Sequence, residues 1–422
     1  MNPKVLLLTV SDQREHLLNK YPGIDLHVNN TLKSWELGFR EITSHFLTYD
    51  FYQKYVNEGI VKVNQEIIVL IEKERPDFLV WPAMTFEILE ETFAVARSLG
   101  CRAIGVFFDD ILCFDHLTKF YIPYLDYFIT IDSPASRKRY SAVGAEAIFM
   151  PFPVSQKIFM NKQLPFQHDV SFVGAKIANR AEFIDKIRNV EIHVQAFGRG
   201  WSNGYISTQE MVDLFNHSKI NLNFVQSIDN TGSKQLKGRI FEICMCGGFL
   251  LTEYMDELKD CFVIDKEIVC FNSSEEAIDK IKFYLKNEQL RLDIAKAGYE
   301  KARNYYSFEK AWSSLFTKID SGSLKPNHIK SVELSGEAKN CRSSWHIAMA
   351  NALYLEGKAS ISKDEFILAR RNNPFNRQVI LLSICYQIPH FLGAFVLLFV
   401  EKVIYRLRKA KSLIRGYVFA RK

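Results

Sequence analysis

No two cysteines stand at CxxC spacing, and no histidine cluster stands at zinc-ligand spacing. That spacing excludes a zinc ribbon or finger. The eight cysteines, most of them inside apolar runs such as Ile243-Cys244-Met245-Cys246, read as small buried thiols of a reducing cytosol. The start of the chain has one lysine before a short apolar run, which reads as a first buried strand and not as a signal peptide. No repeat period or low-complexity tract is present. Neither sign of charge dominates, with 54 Lys and Arg against 48 Asp and Glu and a net of +6. A chain that binds nucleic acid through diffuse positive charge is therefore not expected.

What is present is a globular composition of 48% hydrophobic and 24% charged residues over 422 positions, enough for two or three domains. The charge is divided unevenly. Residues 341–422 hold fourteen Lys and Arg and four Asp and Glu, a net of +10, which leaves −4 for the first 340.

Short β-branched or aromatic runs alternate with helical periodicity, the pattern of a parallel α/β sheet. The first half predicts strands at 5–9, 78–81, 103–108, 127–131 and 147–150, with helices at 61–74, 86–99 and 133–143. A proline-containing linker at 151–165 follows. The alternation restarts with strands at 169–173, 191–197, 220–224, 249–251 and 267–271. Helices are predicted at 179–188, 207–217 and 234–246, the second opened by the capping box Ser207-x-x-Glu210. The domains are therefore expected at 1–155 and 166–318, both doubly wound and facing across a cleft. A mobile linker at 319–340 and a basic, hydrophobic tail at 341–422 follow.

The stretch Asn230-Thr-Gly-Ser-Lys-Gln-Leu-Lys-Gly-Arg-Ile-Phe-Glu242 is a polar, glycine-containing loop running into a helix. A helix N-terminus exposes unpaired N–H groups and favours a phosphate. Lys234, read as lying in the first turn, and the nearby Lys237 and Arg239 fit a diphosphate, and Glu242 two turns on fits a ribose diol. The same residues also fit an amphipathic helix with solvated charges. On the other side of the cleft, Asp109-Asp110 follows an apolar strand, the place where acids point into such a cleft. Either acid fits a general base and Asp109 is preferred, while a helix N-cap role explains the pair equally well.

The segment Lys237-Gly-Arg-Ile-Phe-Glu-Ile-Cys-Met-Cys-Gly-Gly-Phe-Leu-Leu251 resembles the signature of GT-B fold glycosyltransferases, nearest to their CgeB-like, spore-maturation-like branch. The elements His168-Asp-Val-Ser-Phe-Val-Gly174 with Arg180, Phe197-Gly198-Arg-Gly-Trp201 and Glu267-Ile-Val-Cys-Phe-Asn272 are similar in order. The resemblance implies an α/β GT-B protein whose second domain binds a nucleotide-sugar donor and whose first binds a glycan or lipid-linked acceptor. The reaction would belong to cell-surface polysaccharide or glycolipid synthesis. It implies donor contacts at Gly174, Arg180, Gly198, Asn230, Thr231, Gly232, Ser233, Lys234, Arg239 and Glu242, with Asp109 or Asp110 as the catalytic acid. One departure is that Lys234 stands where many retaining members carry the first Glu of E-x7-E. The acids are contiguous, not D-x-D, so no metal or other cofactor is expected. The alternative is a catalytically inactive GT-B-like protein that binds nucleotide or glycan and serves as a membrane assembly factor.

Residues 379–400 carry no formal charge and are followed by eight Lys and Arg between 402 and 422. The length suits a membrane span. A single span would separate the basic end from a cytoplasmic, nucleotide-sugar-using body, contrary to the positive-inside rule. Peripheral attachment to the inner face of the cell membrane, with a bend at Pro389, is therefore expected. Each basic residue would add about 1 kcal/mol of attraction to an anionic leaflet.

Overall fold

The computed structural model describes residues 3–9, 31–83, 85–177, 179–226, 233–388, 390, 392–394 and 396–398. Two wholly parallel sheets dominate it. The first has six strands, β1 (Lys4–Thr9), β2 (His45–Asp50), β3 (Phe78–Ala83), β4 (Arg102–Phe107), β5 (Tyr127–Thr130) and β6 (Ala147–Phe149), in the order β2-β1-β3-β4-β5-β6. The second has five, β7 (His168–Val173), β8 (Val194–Phe197), β9 (Ser218–Asn223), β10 (Leu250–Glu253) and β11 (Val269–Phe271), in the order β11-β10-β9-β7-β8. The central strands are apolar on both faces because helices cover both: all six residues of β3 are buried.

Each sheet separates two apolar layers. Val5, Leu7, Phe78 and Val80 face one side of the first sheet and pack on Trp35 and Phe39, while Leu6, Leu8, Leu79 and Trp81 face the other. The chain crosses back after the second domain through the bridge Val154–Ser307. Helix Phe308–Asp320 then lays Phe308, Trp312 and Phe316 on Trp35, Phe39 and Phe78. Arg102 pairs with Asp320 at its end (3.5 Å). The expected boundary at 318 thus falls inside a helix that belongs physically to the first domain.

Four sequence expectations need correction. The helix Thr31–Ile42 and the edge strand β2 were not anticipated; β2 is mostly half-buried and lacks a clean period. The helix expected from 234 begins at Gly238, because the preceding N–H groups are engaged elsewhere: Gln235 N–H donates to Val225 O (3.0 Å) and Leu236 N–H to Asp132 O (2.8 Å). Residues 319–340 are not loose along their length. Asn327 N–H donates to Asp126 O (2.8 Å), its side chain donates to Ile122 O (2.6 Å), and Ile329, Val332 and Leu334 pack on the first domain.

The expected tail also divides. Helices Gly336–Leu355 and Ala359–Asn372 form a hairpin against the first domain. Arg342 pairs with Glu90, Tyr55 OH donates to Glu365 (2.8 Å), and Glu365 meets His346 Nδ1 (2.7 Å). Helix Arg377–Cys385 adds Val379, Leu382 and Cys385 to a small core around Tyr354, whose hydroxyl donates to Cys385 O (2.9 Å). Among the described residues no helix is long and apolar enough to cross a membrane. Pro389 and the basic run from 402 to 422 lie outside the described residues.

Candidate functional site

The C-terminal edges of the two sheets meet through three hydrogen bonds. Gln235 Nε2 donates to Asp109 Oδ1 (2.6 Å), Leu236 N–H donates to Asp132 O (2.8 Å), and Ser133 Oγ donates to Glu257 Oε1 (3.1 Å). All six residues sit on loops or turns just beyond strands or before a helix, so both parallel sheets aim them at one cleft.

Three acids lie on the first-domain side, and the fold treats them differently. Asp109, half-buried, ends the loop after β4 and turns its carboxylate to Gln235. It occupies the cap position of the short helix Asp110–Cys113, yet its side chain makes no cap hydrogen bond. Asp110 is 1% exposed and accepts from Thr118 Oγ1 and Tyr140 OH, both at 2.7 Å. Burial raises its pKa despite those donors. This corrects the assignment of Asp110 to the cleft: it is committed inside the first domain.

The third acid, Asp132, was not singled out in the sequence. It is fully buried and accepts from Ile111 N–H (2.7 Å), Thr130 Oγ1 and Ser136 Oγ (both 3.1 Å). Burial, reinforced by the neighbouring Asp110 charge, pushes its carboxyl up to about 7. The signal was available, since Asp132 follows a buried strand as Asp109 does.

On the second-domain side the turns after β7 and β8 interlock. Gly198 has φ +122° and a Cβ there would lie 2.5 Å from Gly174 O. Gly174 N–H donates to Phe197 O (2.9 Å), and Trp201 Nε1 donates to Gly174 O (2.9 Å). Gly198 is thus explained by its approach to Gly174, and Gly174 by the Phe172 ring, which a Cβ there would meet at 2.7 Å. Arg180 opens helix Arg180–Arg188, is 9% exposed, and donates to Gln226 O (3.0 Å) and Ala175 O (3.3 Å). It makes no ion pair among the described residues, and burial lowers its pKa while Glu253 opposes the fall. A buried guanidinium held by carbonyls and by the rings of Phe172 and Phe224 (6.0 and 5.7 Å) keeps donor capacity for an anion.

Lys234 lies in a bridge with Gln226, not in a helix. Its Nζ pairs with Glu253 (3.0 Å) and donates to Tyr254 O (2.7 Å). Glu253, also unassigned in the sequence, ends β10 and is one more acid at a strand C-terminus. Arg239 and Glu242 pair with each other one turn apart, and Arg239 also reaches Met211 Sδ (2.6 Å). Burial raises the Glu242 pKa while Arg239 pulls it down. Ser233 precedes Lys234, whereas Asn230, Thr231 and Gly232 lie outside the described residues. Among the described residues no group of three or more His, Cys, Asp or Glu side chains is placed to hold a metal ion.

Residues 180–317 match the family model described as "Glycosyl transferase-like". Among curated proteins none matches the sequence. Among solved structures, sucrose-phosphate synthase from Thermosynechococcus elongatus is similar at a TM-score of 0.53 and 10% identity, over 76% of this chain and 100% of that one. The structure of HepE from Anabaena in complex with UDP-glucose is similar at 0.49 and 11% identity, over 76% of this chain and 100% of that one. The chain has the two-domain GT-B fold, with its C-terminal helices added to the first domain.

Proposed function

We propose that the protein is a glycosyltransferase, moving a sugar from a nucleotide-sugar donor on the second domain to a glycan or lipid-linked acceptor on the first. The observation that carries this reading is the glycosyltransferase-like match at 180–317, which spans the residues bearing Arg180, Lys234, Arg239, Glu242 and Glu253. The cleft then has a division of labour. Asp109 takes the proton of the acceptor hydroxyl, with Gln235 fixing the carboxylate. Arg180 and Lys234 meet the leaving diphosphate, with Glu253 positioning Lys234. Glu242 takes the ribose diol by exchanging its bond to Arg239. We place the acceptor in cell-surface polysaccharide or glycolipid synthesis, and the CgeB-like branch rests on the sequence motifs alone.

The test is donor hydrolysis and transfer with UDP-, GDP-, CMP- and dTDP-sugars. Asp109→Asn should lower kcat about 10²- to 10⁴-fold, the usual range for loss of a general base. Lys234→Ala should raise the donor Kd. Full turnover in Asp109→Asn overturns the base assignment, and unchanged donor binding in Lys234→Ala overturns the diphosphate site.

A second reading, an inactive nucleotide-binding assembly factor, draws on Lys234 and Glu242 each being closed in an ion pair. It predicts nucleotide binding with no transfer over a broad acceptor panel.

We also place the enzyme at the inner face of the cell membrane. The C-terminal region exposes Phe375 on a turn and Ile380, Ile384, Leu392 and Leu398 beyond it, and eight basic residues follow. Flotation with anionic vesicles should be lost when those eight are replaced by Gln, since about 1 kcal/mol accompanies each. Equal flotation of both forms refutes the attachment.

A further inference from the structure

A cavity of about 420 Å³ opens on the side of the second domain away from the cleft. Its walls are residues that come before strands: Phe166 before β7, Ser218 at the start of β9, and Gly248-Phe249 before β10. In a parallel sheet those positions share the N-terminal edge, opposite the Gly174 and Gly198 turns. The interdomain linker contributes Asn161 and Gln163, and helix Glu288–Tyr305 contributes Arg291, Lys296 and Tyr299. The volume is that of a small-molecule site.

Its charge is one-sided. Lys219, Arg291 and Lys296 line the cavity and no carboxylate does. Asp169 holds Lys219 (2.7 Å) and Glu288 holds Arg291 (3.4 Å), neither of them a wall residue. Lys296 makes no ion pair among the described residues. Arg291 is 1% exposed, donates to Tyr284 O (2.7 Å), and its Nε has no hydrogen-bond partner. A guanidinium buried this deeply, with only one long carboxylate contact, is stabilised by an added anion. Phe166 supplies an exposed aromatic wall with the Arg291 guanidinium 5.5 Å from its ring, and the buried Phe215 and Phe249 close the cavity from the core side.

We propose that this cavity is a second, regulatory site for a small ligand that joins a phosphate to an aromatic ring, the chemistry of a nucleoside monophosphate. The phosphate meets Lys296 and Arg291, and the ring lies against the exposed Phe166. The site reaches the cleft through two elements. Phe215 lies 5.8 Å from the Arg239 guanidinium, and helix Gly238–Met245 runs from that arginine to Cys246 and Gly247 in the cavity wall. Occupancy therefore changes donor affinity, a consequence that rests on the proposed roles of Arg239 and Glu242; the binding does not.

Titration calorimetry of the full chain with AMP, UMP, adenosine and inorganic phosphate tests it. A nucleoside monophosphate should bind, and Lys296→Glu, on an exposed side chain, should weaken it about tenfold or more, as loss of a charge-assisted contact does. Lys234→Ala, in the cleft, should leave this binding intact, and adenosine should bind at least tenfold more weakly. Arg291→Met should abolish binding in protein whose melting curve shows it folded. No binding of any probe at millimolar concentration, adenosine binding as tightly as AMP, or loss in Lys234→Ala with retention in Lys296→Glu each overturns the proposal. Absence of any sugar transfer alongside Lys296-dependent AMP binding would remove the transferase reading and leave the site standing.

Discussion

In the first domain Asp110 and Asp132 are buried against hydroxyls and a backbone N–H and make no ion pair among the described residues. In the second, Glu242 is buried against Arg239, and the half-buried Glu253 pairs with Lys234. The partners differ in kind, neutral on one side and cationic on the other. Burial pushes all three of Asp110, Asp132 and Glu242 toward the protonated form; neutral donors oppose that push most at the two aspartates, and the Arg239 cation opposes it at Glu242. The two edges of one cleft thus hold their acids by different means, and of the three first-domain acids described at the cleft only the half-buried Asp109 turns its carboxylate to the other side.

The largest effect that would sharpen this contrast comes from Arg239→Ala. It leaves Glu242 buried without its partner and should cost about 3–5 kcal/mol in urea unfolding, while Arg239→Met with Glu242→Leu should recover much of that loss. A cost no greater than that of a surface substitution would mean the pair is solvated.

Next comes pH. Asp132 binds its proton more tightly in the folded state, at about 7, than in the unfolded chain, at about 4. Its contribution is therefore fully present below about pH 4 and is lost as pH rises through about 7, on the order of 4 kcal/mol. Unfolding of the wild type should become easier from pH 5 to pH 8, and Asp132→Asn should flatten that slope. Identical slopes would break the contrast between the two edges.

A smaller effect belongs to Gly198→Ala, which forces φ +122° on a residue with a Cβ and drives it against Gly174 O. It should destabilise by about 1–3 kcal/mol and lower the melting temperature even without a ligand. The smallest is Asn327→Ala, which removes the side-chain donor to Ile122 O and should cost about 1 kcal/mol. Unchanged stability there would show that the Asn327 N–H bond to Asp126 O and the apolar contacts hold residues 319–340 without the side chain.

Much of the fold was legible in the sequence. The runs at 78–81 and 127–131 are apolar on both faces, which marks interior strands of a covered parallel sheet, and β3 and β5 lie there. The pair Asp109-Asp110 was legible as a pair, but which carboxylate reaches the cleft was not. Adjacent side chains diverge, and the surroundings of Tyr140, Thr118 and Gln235 decide. Lys234 was placed in a helix because its neighbours have helical spacing. The N–H groups of Gln235 and Leu236 bond instead to Val225 and Asp132, and such long-range competition leaves no local trace.

By itself the sequence determined an α/β chain with two parallel sheets and the basic end, because hydrophobic period and charge are local properties of the chain. Tertiary structure decided which acids lie in the cleft and which are sealed. It also decided that residues 336–385 pack on the first domain, because those outcomes depend on partners up to 310 residues apart, as with Tyr55 and Glu365.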